Sequence, residues 1–301
     1  MRILVTGGAG FIGSHLVERL LALGHQVAVL DNLSTGKREY VPPEAVFYNI
    51  DLLTADLKQC IEEFEPEVIY HLAAQKNLRL ALADPIADAQ INVIGSLRLL
   101  QAAAARKPRL IFSSSAAVYG EHTLRPEEGD QTHPINPYGI TKKTLEHYLL
   151  FYQLTHGLPV TIFRFANVYG PRQDPAGEAG VISLLINCAL KGQEFVVNGD
   201  GQQTRDYTYV DDMVTGLVQG LEREGIYNLG TNQETSIMDL VKMLETLHEK
   251  EIIRRHSEPI VGEVKRFVYS AQKARQQLLW EPRVNLNEGL RRTYNWQKQS
   301  L

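Results

Sequence analysis

Arg2-Ile3-Leu4-Val5-Thr6-Gly7-Gly8-Ala9-Gly10-Phe11-Ile12-Gly13 follows the first methionine of the chain. Five residues, mostly apolar, run straight into a glycine cluster. A short apolar run bounded by a turn reads as a buried parallel strand. Beyond the glycines, Phe11, Ile12, Leu16, Val17, Leu20 and Leu21 recur at helical spacing, and Gly24 stops the pattern. Strand, tight turn and helix make up the dinucleotide fingerprint, with Gly8, Gly10 and Gly13 at its spacing. A Cβ in such a turn would keep the backbone away from a pyrophosphate. The helix that begins there aims free N–H groups and its positive dipole end at the phosphates. A tight turn with a purely structural purpose is the alternative, and the flanking strand and helix weigh against it.

Working outward, Val27–Leu30 forms a second strand that ends on Asp31. That is close to the ~20 residues downstream at which a carboxylate meets the adenosine ribose. Asp31 would accept hydrogen bonds from the ribose and repel a 2′-phosphate, so NAD is expected rather than NADP. Asp51 ends the next strand, 46–50, where it can contact adenine or cap its own loop. The alternation continues with a helix at 55–64, a strand at 68–72 and a long helix from about Pro85 to Arg106. A strand at 110–113, a helix at 137–156 and a strand at 160–165 follow. This order predicts an α/β fold, a Rossmann-type doubly wound parallel sheet covered on both faces.

After about Pro171 the rhythm changes. Gly, Pro and Asp cluster at 170–180, and shorter elements follow: a helix at 181–190 and strands near 194–197 and 205–209. Helices near 211–222 and 236–249 precede a helical C-terminus. We expect an NAD-binding domain over 1–170, joined by a returning segment near 205–230. A smaller α/β substrate-binding lobe is expected over 171–301.

Composition excludes several classes of function. With 31 basic and 35 acidic residues among 301, the net charge is −4, which argues against nucleic acid as a main partner and leaves room for a local basic site for one small anion. No apolar run reaches the length of a membrane span. The first residues lack a signal-peptide layout, so a cytoplasmic location is the default expectation. Cys60 and Cys188 make no disulfide framework, and their apolar, helical surroundings suggest buried thiols. No metal site is expected.

Chemistry enters at Pro137-Tyr138-Gly139-Ile140-Thr141-Lys142. Tyr138 and Lys142 are four apart on a helix and therefore share a face. Tyr148 and Tyr152 repeat the aromatic spacing without a lysine and read as packing or interface residues. Ser113-Ser114-Ser115 ends a strand at the carboxyl edge of the sheet, where open α/β folds bind ligands. A tyrosine with a pKa near ~10 is a poor base at neutral pH. A lysine ammonium and an oxidised nicotinamide ring, both positive, would favour the phenolate. A serine hydroxyl beside them completes a trio suited to taking the proton of an alcohol as its hydride leaves.

These motifs resemble those of the extended short-chain dehydrogenase/reductase superfamily, the NAD-dependent epimerase/dehydratase group, and within it the UDP-glucose 4-epimerase branch. The resemblance spans the whole chain. It rests on Val5–Gly13, on Asp31-Asn32-Leu33-Ser34-Thr35-Gly36 and on His71-Leu72-Ala73-Ala74. It continues through Ser113–Gly120, Tyr138 with Lys142, Arg164–Arg172, Gly199-Asp200-Gly201 and Arg205-Asp206-Tyr207.

The resemblance implies roles. Ser115 would share the substrate hydroxyl, Tyr138 would be the acid/base, and Lys142 would hold the nicotinamide ribose. NAD would lie against Gly7, Gly10, Phe11, Ile12, Gly13, Asp31, Asn32, Ser34, Thr35, Gly36, Asp51, Leu52, Leu72, Ala73 and Ala74, together with Tyr138 and Lys142. A UDP-sugar would meet Lys76, Asn167, Arg205 and Phe267 beside Ser115 and Tyr138. For Arg205 an ion pair with Asp206 is the alternative. Related dehydratases carry an Asp-Glu pair where this chain has Ala116 and Ala117, so oxidation followed by reduction is expected instead of elimination. The implied reaction is 4-epimerisation of UDP-glucose and UDP-galactose through a 4-keto sugar. UDP-glucuronate or another nucleotide sugar is the alternative substrate, and a non-catalytic NAD sensor is the alternative class. Phe267 falls where the branch has a gatekeeper beside the sugar C2 substituent. One departure stands out: Ile260 replaces an arginine expected to grip the pyrophosphate; Lys265 or Arg266 compensating is one expectation, and both being solvated is the alternative. Relatives of this kind pair into homodimers through two long helices, here about 85–106 and 136–156, with Leu145, Leu149 and Tyr152 at fitting spacing; the alternative is that these three face the sheet.

Overall fold

The computed structural model describes residues 1–122, 125–175, 180–259 and 264–300. Seven parallel strands form its central sheet: β1 (Arg2–Thr6), β2 (Gln26–Asp31), β3 (Val46–Asn49), β4 (Val68–His71), β5 (Arg109–Ser115), β6 (Val160–Phe165) and β7 (Gly225–Leu229). Their order across the sheet is β7-β6-β5-β4-β1-β2-β3. The chain leaves β1 toward β2 and β3, then crosses back so that β4 flanks β1 on the other side. That reversal is the switch point at which such sheets bind ligands beyond their carboxyl edge.

Both sheet faces are apolar because both are covered. Along β1, Ile3 and Val5 point into one core and Leu4 into the other. The first core takes the helix after the glycine turn, Phe11–Ala22, and the Val210–Gln219 helix. The second takes the helices Leu57–Phe64, Ser96–Ala103 and Pro137–His156. The α/β, doubly wound parallel architecture expected from the sequence is the one observed. The edge strand Gly225–Leu229 comes from the segment expected to return, and it is hydrogen-bonded along Val160–Phe165. Smaller elements follow Pro171. A parallel pair joins Phe195–Asn198 to Arg254–Ser257. A three-stranded patch centres on Thr204–Arg205, flanked by Thr235–Ser236 and Arg266–Phe267.

Three local expectations need correction. The helix read over 85–106 is α-helical over Pro85–Ala89 and Ser96–Ala103, with a π-helical stretch at Gln90–Gly95 between. A separate helix, Leu78–Ala83, precedes it, capped by the Asn77 side chain. Asn77 accepts hydrogen bonds as a cap, and Asp84 caps the next helix just before Pro85; these two punctuation marks separate the helices. Most consequential, Leu145, Leu149 and Tyr152 do not form an outer face. They are buried in the second core against the sheet, because the Pro137–His156 helix must cover that apolar surface. Its solvent side carries Ile140, Tyr148, Phe151 and Leu154 instead.

Candidate active site

The nucleotide end of the cleft is built from backbone. Gly7 has φ +71, and a Cβ there would sit 2.7 Å from the Ala73 amide nitrogen. A Cβ on Gly13 would overlap the Gly7 carbonyl oxygen. These two glycines are demanded by the chain's own packing. Gly10 differs: a Cβ there would meet only the Gly7 oxygen, at 3.2 Å. Its want of a side chain is explained by what must approach from outside, at the N-terminus of the Phe11–Ala22 helix where no side chain caps the free amides. A Cβ on Gly36 would crowd the Ala9 backbone at 3.0 Å, so the loop after Asp31 lies flat on the turn.

Asp31 is buried at the end of β2. Its Oδ2 accepts from the Ala9 amide at 3.0 Å and its Oδ1 from the Leu33 amide at 2.9 Å. The carboxylate thus fixes the glycine turn and the Asn32–Gly36 loop to each other. Asp51 accepts from Leu53 N and from Asn32 Nδ2, which is the loop-capping arrangement. Ser34 N binds Asn32 Oδ1, and Leu52, the residue after Asp51, lies within contact of Gly95 in the π-helical stretch. Across the switch point, Leu72 N donates to Thr6 O and Ala73 N to Thr6 Oγ1, bringing Leu72, Ala73 and Ala74 beside Gly7. These residues fit a dinucleotide: a side-chain-free helix N-terminus, a carboxylate one strand over, and a cradle closed by Ala73.

The other end of the cleft is built from buried titratable groups. Ser115 ends β5, and its Oγ accepts from Ala117 N at 3.1 Å, capping the short 3₁₀ turn Ala116–Val118. Pro137 opens the next helix behind an Asn136 cap, which places Tyr138 in its first turn and Lys142 one turn on. The Lys142 Nζ donates to Ser113 O at 2.7 Å and sits 4.8 Å from the Phe112 ring centre and 5.8 Å from that of Tyr138. The trio read from sequence therefore converges.

Its protonation, in the protein by itself, is set by burial. Burial pushes the Tyr138 phenol up to about 12, against a hydrogen bond from Ser115 that pulls it down. Burial also drives Lys142 down to about 7, although Asp88 and Glu146 hold its proton on. We expected a positive lysine to lower the tyrosine. In the protein alone, desolvation is the largest influence on each group and favours its neutral form.

Several participants escaped the sequence reading. His71 is wholly buried, with its ring between Thr6 Oγ1 and Ser96 Oγ, both at 2.7 Å. Burial, then the charge of Lys142, takes its pKa down to about 3. Arg164 on β6 binds Glu146 through two hydrogen bonds of 2.9 and 2.8 Å, and Ser114 Oγ donates to the same carboxylate at 2.6 Å. A buried arginine in the run Thr-Ile-Phe-Arg-Phe was a usable signal, because a buried charge demands a partner.

On the substrate side, Asn167 lies on a short strand paired with Tyr207–Tyr209, and its backbone N–H donates to Asp206 O. Arg205 precedes Asp206 in the chain, with its guanidinium 5.9 Å from the Phe267 ring centre. Asp206 turns inward, accepting from Thr231 N, Thr231 Oγ1 and Asn232 N. Burial outweighs those donors and raises it to about 6. Phe267 packs on the cluster of Ala116, Val118, Tyr119, Ala166 and Tyr269, which puts it over the turn that follows Ser115. Lys76 is exposed on the loop after β4. Arg266 is engaged by both oxygens of Glu234. Ile260 lies outside the described residues.

A doubly wound sheet, a glycine turn at its switch point and a Ser-Tyr-Lys trio at the neighbouring strand end define a dinucleotide-dependent enzyme acting on an alcohol. The family model for the NAD dependent epimerase/dehydratase family matches residues 3–230. The UDP-glucose 4-epimerase of Mycolicibacterium smegmatis is 40% identical, over 97% of each chain. Among solved structures, UDP-glucose 4-epimerase of Thermotoga maritima with UDP-glucose is 40% identical, with a TM-score of 0.96, covering 100% of this chain and 99% of that one. The Thermus thermophilus UDP-glucose 4-epimerase complex with NAD is 39% identical over the full length of both, with a TM-score of 0.97. This chain belongs to the NAD-dependent epimerase/dehydratase family, and NAD is its cofactor.

Proposed function

We propose that the protein interconverts the C4 epimers of a UDP-hexose, UDP-glucose and UDP-galactose, using NAD that stays bound through the cycle. One observation carries this: the turn immediately after Ser115 presents Ala116 and Ala117, neither of which transfers a proton. Water elimination needs an acid and a base there, whereas oxidation and re-reduction at C4 need only Ser115, Tyr138 and Lys142.

NAD, when bound, accepts the C4 hydride and returns it. The chain's own residues do the rest. Tyr138 takes the proton of the C4 hydroxyl and later gives it back, and Ser115 shares that hydroxyl and orients it. The Lys142 ammonium holds the ribose and favours the phenolate. Asp31 meets the adenosine ribose, and the amides at Gly10–Ile12 face the pyrophosphate. Asn167 and Arg205 bind the UDP phosphates, Lys76 lies on the sugar side, and Phe267 limits the space at C2. The NAD-binding part is 1–170 with the return near 205–230, and the UDP-sugar lobe is mainly 171–301.

The protein works as a homodimer through the helices near 85–106 and 136–156. Supporting this, Ile86, Ile94, Phe151 and Leu154 are 70%, 48%, 51% and 85% exposed on these adjacent helices. A monomer mass by light scattering would overturn the assembly.

The function is tested by incubating the pure protein separately with UDP-galactose, UDP-glucuronate and UDP-N-acetylglucosamine. Chromatography is expected to show UDP-galactose reaching equilibrium with UDP-glucose without added NADH. Conversion of UDP-glucuronate alone would reassign the sugar. No conversion of any would refute the reading.

A further inference from the structure

We propose that Asp88 is a positioning residue: it is the counter-charge that keeps the Lys142 ammonium protonated beside Tyr138. This rests on the epimerase reading above for what the ammonium is needed to do.

Lys142 is a buried cation, and among the described residues no carboxylate is in contact with it. Its Nζ donates to a backbone carbonyl, Ser113 O, and otherwise faces the rings of Phe112 and Tyr138. A buried ammonium without a counter-charge tends to lose its proton. Two carboxylates stand near enough to act on it, Glu146 and Asp88. Glu146 already serves another cation. Both its oxygens bind Arg164, and Lys143 Nζ lies 3.2 Å from Oε2.

Asp88 is different. It is 1% exposed, and its contacts are neutral donors only: Gln75 Nε2 at 2.8 Å and Asn92 Nδ2 at 3.1 Å on Oδ1, and Thr141 Oγ1 at 2.9 Å on Oδ2. Thr141 immediately precedes Lys142, so the carboxylate is tied to the backbone that carries the ammonium. Asn92 lies in the π-helical stretch Gln90–Gly95, a distortion that often marks functional positions. Its side chain also holds the loop at Gln75 through Gln75 N and O, on the border of the cleft.

The other charged or titratable groups around Lys142 are accounted for. His71, on β4, has its ring nitrogens held by Thr6 and Ser96. Arg164 and Lys143 are positive and engaged with Glu146. Tyr138 is the acid/base itself. Asp88 alone among these supplies a negative charge that no cation in contact offsets. Its field also keeps the proton on Tyr138. The ammonium, 5.8 Å from the phenol ring centre, acts in the opposite sense.

The test is an NMR titration of Lys142 in protein labelled at lysine Cε, with the signal assigned by Lys142→Arg. In Asp88→Asn the Lys142 midpoint is expected to fall by about one pH unit or more from the loss of a buried counter-charge. Asp88→Glu is expected to restore most of it. Thr141→Val, which removes the hydroxyl contacts to Asp88, Tyr138 O and Asn92 and keeps the charge, is expected to lower it less, and this variant carries the test if Asp88→Asn fails to fold. A midpoint that stays in place in Asp88→Asn, or in Thr141→Val if Asp88→Asn does not fold, overturns the proposal. With UDP-galactose, the basic limb of kcat against pH is expected to move down with the midpoint while KM changes less than about threefold. A uniform loss of kcat at every pH, with the limb unmoved, would mean a merely structural role and overturn it as well. The NMR readout does not need turnover. A wild type inert toward every UDP-sugar, with the midpoint still moving, would therefore refute the epimerase reading and not this one.

Discussion

The two ends of the cleft solve different problems with different materials. At the glycine turn there is little to titrate. Gly7, Gly10 and Gly13 act by lacking a Cβ, and Asp31 acts by bonding two backbone amides. At the Ser-Tyr-Lys end the backbone is ordinary and every participant is ionisable or hydroxylic. Tyr138, Lys142, His71 and Glu146 all have perturbed pKa values, and burial is the largest cause for each, though for Glu146 Arg164 reverses its sign. A nucleotide site made of amides works across a wide pH range. A proton-transfer site must be tuned, and the tuning comes from what is buried around it.

The largest effect should come from removing the proton carrier. Tyr138→Phe keeps the ring and its packing but loses the phenol. We expect kcat to fall by about a thousandfold, on the order of 4 kcal/mol, with NAD retention unchanged. Equal loss of NAD binding would break the division between the two ends.

Next comes Glu146→Gln. This leaves Arg164 buried without its carboxylate, which typically costs about 3–5 kcal/mol. The melting temperature should drop by roughly 10 °C for a chain of this size. Burial raises the Glu146 pKa, but the hydrogen bonds and charge of Arg164 outweigh it, so the folded value lies below the ordinary one. The stability it contributes is present above the ordinary glutamate range and is lost as pH falls through the lowered folded value. The gap between wild type and variant should therefore close in acid. A gap independent of pH would show that Glu146 is not the anion of this pair.

This contrast also explains what the sequence could tell. Six of the seven sheet strands and the glycine turn were legible because strand patterning and Gly spacing are local, whereas the edge strand Gly225–Leu229 was not read as a strand. Val160–Phe165 and Pro137–His156 match their expected bounds. Tyr138 and Lys142 were legible because four residues on a helix guarantee a shared face. What failed depended on tertiary burial. The spacing of Leu145, Leu149 and Tyr152 fixes a helix face but not whether sheet or solvent lies opposite. The upward shift of Tyr138 and the downward shift of Lys142 follow from desolvation, which has no sequence signature. Asp88 sits at an unremarkable position before an unforeseen π-helical stretch. Only the fold brings it to Thr141, 53 residues away.

A third effect sharpens the nucleotide end. Asp31→Asn removes the charge and keeps the shape. Preference for NAD over NADP should shrink by about tenfold, roughly 1.4 kcal/mol, with kcat at saturating NAD little changed. Unaltered preference would assign Asp31 to holding Ala9 and Leu33 only.

The smallest effect tests where the two ends meet the sugar. Phe267 packs against the cluster that includes Ala116 and Ala166, with Arg205 over its ring. It contributes shape and no charge to the site. Phe267→Ala should open space without touching the protonation of Tyr138 or Lys142. Turnover of UDP-N-acetylglucosamine relative to UDP-glucose should rise by about tenfold, within the ~1–3 kcal/mol that a pocket of this kind can discriminate. The pH profile with UDP-galactose should stay where it was. Comparable turnover of the two sugars by the unmodified protein would show that the ring is no gate. A pH profile that moves with Phe267→Ala would show that the apolar wall helps set the burial of Tyr138. The separation between shape and charge would then fail at its point of closest contact.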